Sequence, residues 1–333
     1  MENTEKQKKI FLFFSFISGI IELGTIFLGS DMGYSTNAII GLALAYQIGN
    51  LVPNPLLLSY YCTIVLAIIQ SGTLLLFYFQ KSYWLLFFSI VLLGMIIQSG
   101  RSYSKSKVST TKKRLFRIIG FLIAPVFNQY VLFFLAGLTV IITAMNSVKN
   151  TKCRIRIPKI KLISVIMIVH QIHYFCYSYF MILILKSLIK NSFSIILSFL
   201  FVLGWCTYIS VPHLVHRKNY EIIFIIGHIF LASMLWGIFS SYPSKIVVLF
   251  WILTGFGGGT VYCIEKVNNS MKQIEKEDIT FAENIGHVTG TLIGIIAYSV
   301  SNSVLTPVIV SCMAAIGAIL LMTFNMLKNR EII

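Results

Sequence analysis

Residues 101–117 read RSYSKSKVSTTKKRLFR, seven basic side chains in seventeen positions with no acid among them. The run follows an apolar stretch at 82–99 and leads directly into another at 110–128. Working outward, the same alternation holds along the chain. Basic clusters recur at Lys6, Lys8 and Lys9, at Lys149, Lys152, Arg154, Arg156, Lys159 and Lys161, at Arg217 and Lys218, at Lys266, Lys272 and Lys276, and at Lys328 and Arg330. Of the 27 lysines and arginines only Lys81, Lys186, Lys190 and Lys245 fall elsewhere, so 23 lie on every second connection between apolar runs. A chain threaded repeatedly through a membrane has a reason to segregate charge in this way, because basic loops stay on the cytoplasmic side. On that rule both termini are cytoplasmic.

The apolar stretches lie near 10–29, 37–53, 56–79, 82–99, 110–128, 130–147, 162–185, 193–211, 220–239, 245–263, 283–300 and 304–326. Each has the length that crosses a ~30 Å hydrocarbon core. The sequence therefore predicts an all-α, polytopic, multi-pass integral membrane protein of about twelve transmembrane helices, placed in a bacterial cell membrane. Parity governs the tightest part, 110–147: the basic loops on either side demand an even number of crossings. Asn128 and Gln129, just after Pro125, mark the turn between two full spans, or the segment forms a re-entrant hairpin. Arg114 and Arg117 are expected to snorkel toward the interface.

A formal charge of +16 would suit a nucleic-acid partner, but 57% apolar and 11% charged residues exclude one. The charge is a topology signal with some attraction to anionic membrane lipid. Six cysteines without CxxC spacing imply neither a disulfide framework nor a metal knuckle, and no cofactor or metal is expected. The basic N-terminus runs into a first span without a small-residue cleavage site, which reads as a retained helix.

Two halves are expected: 1–147, a basic cytoplasmic linker at 148–161 containing Pro158, and 162–333. Gly100, Tyr103, Lys107 and Val108 leave the fourth span with the spacing of Gly259, Tyr262, Lys266 and Val267 leaving the tenth. Aligning Gly120 with Gly290 sets Arg117 opposite His287 and Lys113 opposite Glu283. Parallel repeats of this kind place a central site between the halves.

With six plus six spans, cytoplasmic ends, a basic central linker and Gly120 followed by Ala124 and Pro125, the chain resembles the major facilitator superfamily over nearly all its length. The Gly120 pattern is similar to the Gly-x-x-x-Gly-Pro motif of that family's antiporters, although Val126 and Phe127 replace its later glycines. The family's Asp-Arg-Gly signature between spans two and three is absent, with Gly49 to Pro55 standing there uncharged. A degenerate echo follows span eight as His213, His216, Arg217 and Lys218. The resemblance implies a short, divergent member with a major-facilitator-like fold, spans one and seven lining a central cavity.

An ionisable group at mid-membrane is costly, so each one raises a functional question. Glu22 is the one plainly central acid, on a stripe of Ser15, Ser18, Gly19, Glu22, Thr25 and Gly29 that faces protein or water. Burial disfavours the charged carboxylate, which makes Glu22 the proton-coupling candidate; the alternative is a structural carboxylate bonded to neighbouring helices. Span seven carries His170, His173, Tyr174 and Tyr177 on one face, candidates for the substrate cavity together with Gln47 and Asn50 of span two. The two histidines could hold a borderline metal or bond a polar substrate; an aromatic helix interface is the plainer reading. Near the cytoplasmic ends, Arg101, Lys113 and Arg117 against Glu283 and His287 form a candidate gate, formed in one conformation only. Gly255, Gly257, Gly258 and Gly259 read as close packing or a kink, and His228 as an isolated core histidine.

These readings point to a secondary active transporter moving a small organic molecule by alternating access, with proton-coupled efflux suggested by the partial antiporter motif. The alternative is a membrane-embedded enzyme acting on a lipid or lipid-linked substrate. Such catalysts bring several acid, base or nucleophilic groups together, whereas Glu22 stands alone, so no enzyme is expected.

Overall fold

The computed structural model describes residues 2–53, 56–57, 59–103, 110–126, 154–189, 194–214, 219–271 and 274–330. The chain divides into two compact units, Met1–Ile157 and Pro158–Ile333. The first contains α1 (Glu2–Asp31), α2 (Thr36–Leu51), α3 (Tyr60–Gln80), α4 (Tyr83–Tyr103) and α5 (Thr110–Ile123), which ends in a 3-10 turn at Ala124–Val126. The second contains α6 (Leu162–Leu188), α7 (Ser194–Leu214), α8 (Tyr220–Ser241), α9 (Val247–Gly258), α10 (Val261–Met271), α11 (Lys276–Ser301) and α12 (Thr306–Arg330).

Among the described residues nine helices are long and apolar enough to cross a membrane, with α9 and α10 together making one of them. At 16 and 14 residues, α2 and α5 are shorter. The expected span at 130–147 and the turn at Asn128 and Gln129 lie outside the described residues. The pattern of burial is that of a multi-pass integral membrane protein. Polar Ser15, Ser18, Glu22, His170, His173 and His228 are buried, while Ile68, Leu75 and Phe79 on α3 and Ile222, Ile226 and Trp236 on α8 are exposed. Within their units α1 and α6 are the most enclosed of the spanning helices, and α3 and α8 the least.

At three places a difference from the hydropathy reading has a local reason. Leu56 and Leu57 are extended, pairing antiparallel with Ile155 and Arg154, and α3 begins only at Tyr60. Its N-cap is Ser59, whose side chain accepts the Cys62 amide at 3.2 Å. Ser59→Ala should cost about 1 kcal/mol, read as a lower melting temperature in detergent; an unchanged melt would show that the cap does not stabilise α3. The eleventh apolar stretch begins seven residues earlier than expected, at Lys276, because Glu277 and Asp278 sit in the first turn where the helix dipole favours acids. The tenth breaks between Gly258 and Val261, so the glycine run is both a packing surface and an interruption.

Apolar helices gain little from hiding in one another when lipid is equally apolar, so close backbone approach matters more. A Cβ on Gly19 of α1 would meet the Arg117 carbonyl of α5, and one on Gly120 would meet the Phe16 carbonyl. Gly286, Gly290 and Gly294, four apart on α11, meet Ile168, Ile172 and Cys176 of α6 in the same manner. The core of the first unit gathers Phe14, Ile17, Ile21, Leu42, Tyr46, Phe77, Ile90 and Leu93.

Candidate functional site

The stripe on α1 turns inward as its spacing predicts: Ser15, Ser18, Gly19, Glu22, Thr25 and Gly29 are all buried. Ser18 shares a 2.5 Å hydrogen bond with the Tyr46 hydroxyl of α2, and Gly29 lets the same helix approach through Ile39 and Leu42. Glu22 lies one turn beyond Gly19, and Arg117 one turn before Gly120, so the two small residues that bring the backbones together also place an acid and a base within reach. The Arg117 guanidinium donates Nε–H to Glu22 Oε2 at 2.8 Å and donates from Nη2 to the same oxygen. Gln47 of α2 donates Nε2–H to Oε1 at 3.4 Å. The Glu22 side chain is 2% exposed and that of Arg117 16%. Its carboxylate is thus held by a guanidinium and an amide in a dry interior, where such bonds are stronger than in water.

The expectation that Arg117 snorkels to the cytoplasmic interface is therefore corrected: its charge is drawn inward by the buried acid of α1. Asn50, one turn from Gln47, is buried as well. Of the other gate candidates, Lys113 is half-buried on α5, and Arg101 falls in the last turn of α4 with its side chain outside the described residues. Glu283 and His287 sit one turn apart on α11, Oε1 to Nε2 at 4.0 Å. The His287 ring packs on Phe175 of α6, centroids 3.9 Å apart.

In the second unit the polar face of α6 is enclosed by its own neighbours. Tyr174 lies against Trp205 and Tyr208 of α7, at centroid distances of 5.3 and 5.7 Å, and Tyr177 against Trp251 of α9 at 6.0 Å. His170 and His173 are buried without exposure. His228 is not isolated, which corrects the sequence reading: its Nε2 stands 3.0 Å from His170 Nδ1, and His173 Nε2 stands 3.2 Å from that same atom. On its other side His228 Nδ1 lies 2.9 Å from the Phe224 carbonyl and 3.3 Å from Thr260 Oγ1. Thr260 occupies the break between α9 and α10 and donates its hydroxyl to the Gly257 carbonyl.

Two side-chain partnerships are not apparent from the sequence. The Arg117 pairing had a usable signal, since a buried acid requires a cation and Arg117 is the one basic residue a turn from the packing glycine of α5. His228 had none, because 55 residues separate it from His173 and only the folded second unit joins them.

No protein-family model and no curated protein matches the sequence. The structure has counterparts. It is similar to the human organic anion transporter MFSD10 (TETRAN), with a TM-score of 0.60 and 8% identity over 94% of this chain and 99% of that one. The nucleoside transporter NupG gives 0.62 and 12% over 98% of both chains. A bacterial homologue of the iron transporter ferroportin, in its outward-facing state, gives 0.63 and 13% over 95% and 98%. All three are transporters, and what they share with this chain is the fold.

Proposed function

We propose that this protein is a secondary active transporter that exports a small organic molecule across a bacterial cell membrane by alternating access, in exchange for protons, with both termini in the cytoplasm. The observation that carries the reading is the buried Glu22–Arg117 pair, set beside Gln47 in a fold shared with three transporters. An acid and a base that neutralise each other can be separated by one proton. When Glu22 takes it, the pair loses its attraction and Arg117 is left a buried cation in need of another acceptor, which disfavours the conformation that holds it. A proton thereby shifts the balance between conformations, as coupling requires, because its binding differs between them.

Substrate binding is assigned in this proposal to the polar side chains nearest these groups, Gln47 and Asn50 in the first unit, and to the His170, His173, Tyr174 and Tyr177 face in the second. The chemical diversity of the three structural counterparts supports no particular substrate. Coupling has a direct test in intact cells. A protonophore should abolish outward movement of the exported compound, and export that continues undiminished would remove proton exchange from the proposal.

A further inference from the structure

We infer that His170, His173 and His228 form a binding site for one divalent first-row transition-metal ion, of which Zn2+ is the type. The ligand atoms of the three buried rings lie within 4.8 Å of one another, on two helices that sequence alone does not connect. The contacts of His170 Nδ1 to His228 Nε2 and to His173 Nε2 measure 3.0 and 3.2 Å. Three nitrogens bound tetrahedrally to one ion at ~2.0–2.1 Å stand about 3.3 Å apart, so two of the three separations already have a metal site's spacing and the third lies within 4.8 Å.

Hydrogen-bond accounting favours the ion over a network of imidazoles. A neutral imidazole carries a single N–H. On His228 that hydrogen belongs on Nδ1, where the Phe224 carbonyl accepts at 2.9 Å and the Thr260 oxygen stands at 3.3 Å. The Thr260 hydroxyl hydrogen is committed to the Gly257 carbonyl, so its oxygen presents a lone pair to the ring. His228 Nε2 therefore directs a lone pair at His170 Nδ1. If Nδ1 also bears a lone pair, two acceptors face each other at 3.0 Å. If Nδ1 bears the hydrogen, that one hydrogen must serve His228 and His173 together. A cation turns the conflict into an asset, since three lone pairs then converge on one charge.

The outer contacts of His228 fit the same assignment. A metal-bound histidine characteristically donates its second nitrogen to a carbonyl or similar acceptor, which fixes the ring and raises its basicity. The Phe224 carbonyl and Thr260 do this for His228, with Thr260 positioned by the glycine-rich break. Three imidazoles suit zinc, copper, nickel or iron. Among the described residues no carboxylate joins the cluster, which disfavours magnesium and calcium. Bound there, the ion would tie α6 to α8.

The site shares His170 and His173 with the face that the proposed function assigns to substrate, and metal binding to the purified chain is read without transport, so the two readings can fail separately. The test uses the tag-free full chain in detergent, stripped with a chelator and titrated with Zn2+ by calorimetry and with Co2+ by visible absorption. One Co2+ per chain is expected, with the intense ligand-field bands of four-coordinate cobalt, displaced by Zn2+ and not by excess Mg2+. His173→Gln and His228→Gln should each weaken binding by more than the ~10–100-fold expected of Thr260→Val, the outer-contact change. His213→Gln, on the exposed end of α7, should leave it unchanged. Absence of stoichiometric binding to the unmodified chain overturns the inference whether or not the variants fold. So does binding lost in His213→Gln and retained in His228→Gln.

Discussion

Glu22→Gln should destabilise the protein by about 3–5 kcal/mol, because it leaves the Arg117 guanidinium buried against an amide that cannot balance its charge. Arg117→Gln should cost a similar amount by stranding the carboxylate. Replacing both at once with apolar residues of similar length, Glu22→Leu with Arg117→Met, should restore most of the loss, since a buried ion pair is seldom more stabilising than a well-packed apolar one. The double variant should nevertheless export nothing in a proton-dependent manner. Recovery of stability without recovery of function separates a coupling pair from a structural one. Two singly tolerated changes, or a double variant that exports normally, would count against the pairing and the coupling respectively. Thermal melts in detergent give the first readout and cellular export the second.

The other large effect concerns the helix crossing that makes the pair possible. Gly120→Val inserts a Cβ onto the Phe16 carbonyl and close to the Gly19 backbone of α1. Overpacking alone costs about 1–3 kcal/mol, and forcing α1 and α5 apart also strains the Glu22–Arg117 contact. A combined loss of about 4–8 kcal/mol is expected, enough to unfold many proteins, so little folded material should be recovered. Gly72→Val offers the matched control. Nothing lies within 4 Å of a Cβ placed there, on the exposed side of α3, and its effect should stay within about 0.5 kcal/mol. Equal behaviour of the two variants would show that the crossing does not hold the first unit together.

The membrane character and most helix positions were legible because hydropathy and loop charge report on solvent, and solvent acts on each segment separately. The inward face of α1 was legible for a related reason: polar and small residues at helical spacing define a face without knowledge of what it meets. Partners were not. Arg117 looked interfacial because a long basic side chain near the start of an apolar run normally snorkels, and only the close approach at Gly19 and Gly120 reveals that a nearer acid outcompetes the interface. His228 looked solitary because its neighbours come from α6 and from the break at Thr260. The start of α3 was misplaced because hydropathy cannot distinguish Leu56 and Leu57 paired as extended backbone from the same residues in a helix.

On the proposed function the chain moves a molecule and does not transform one. Untargeted mass spectrometry of medium and cell extracts should be compared between strains with the protein, without it, and with Glu22→Gln. The expected result is a compound retained inside cells and depleted outside in both deficient strains, with no change in its total amount. A compound left unconverted in those strains, its distribution across the membrane unaltered, would contradict transport and point to catalysis.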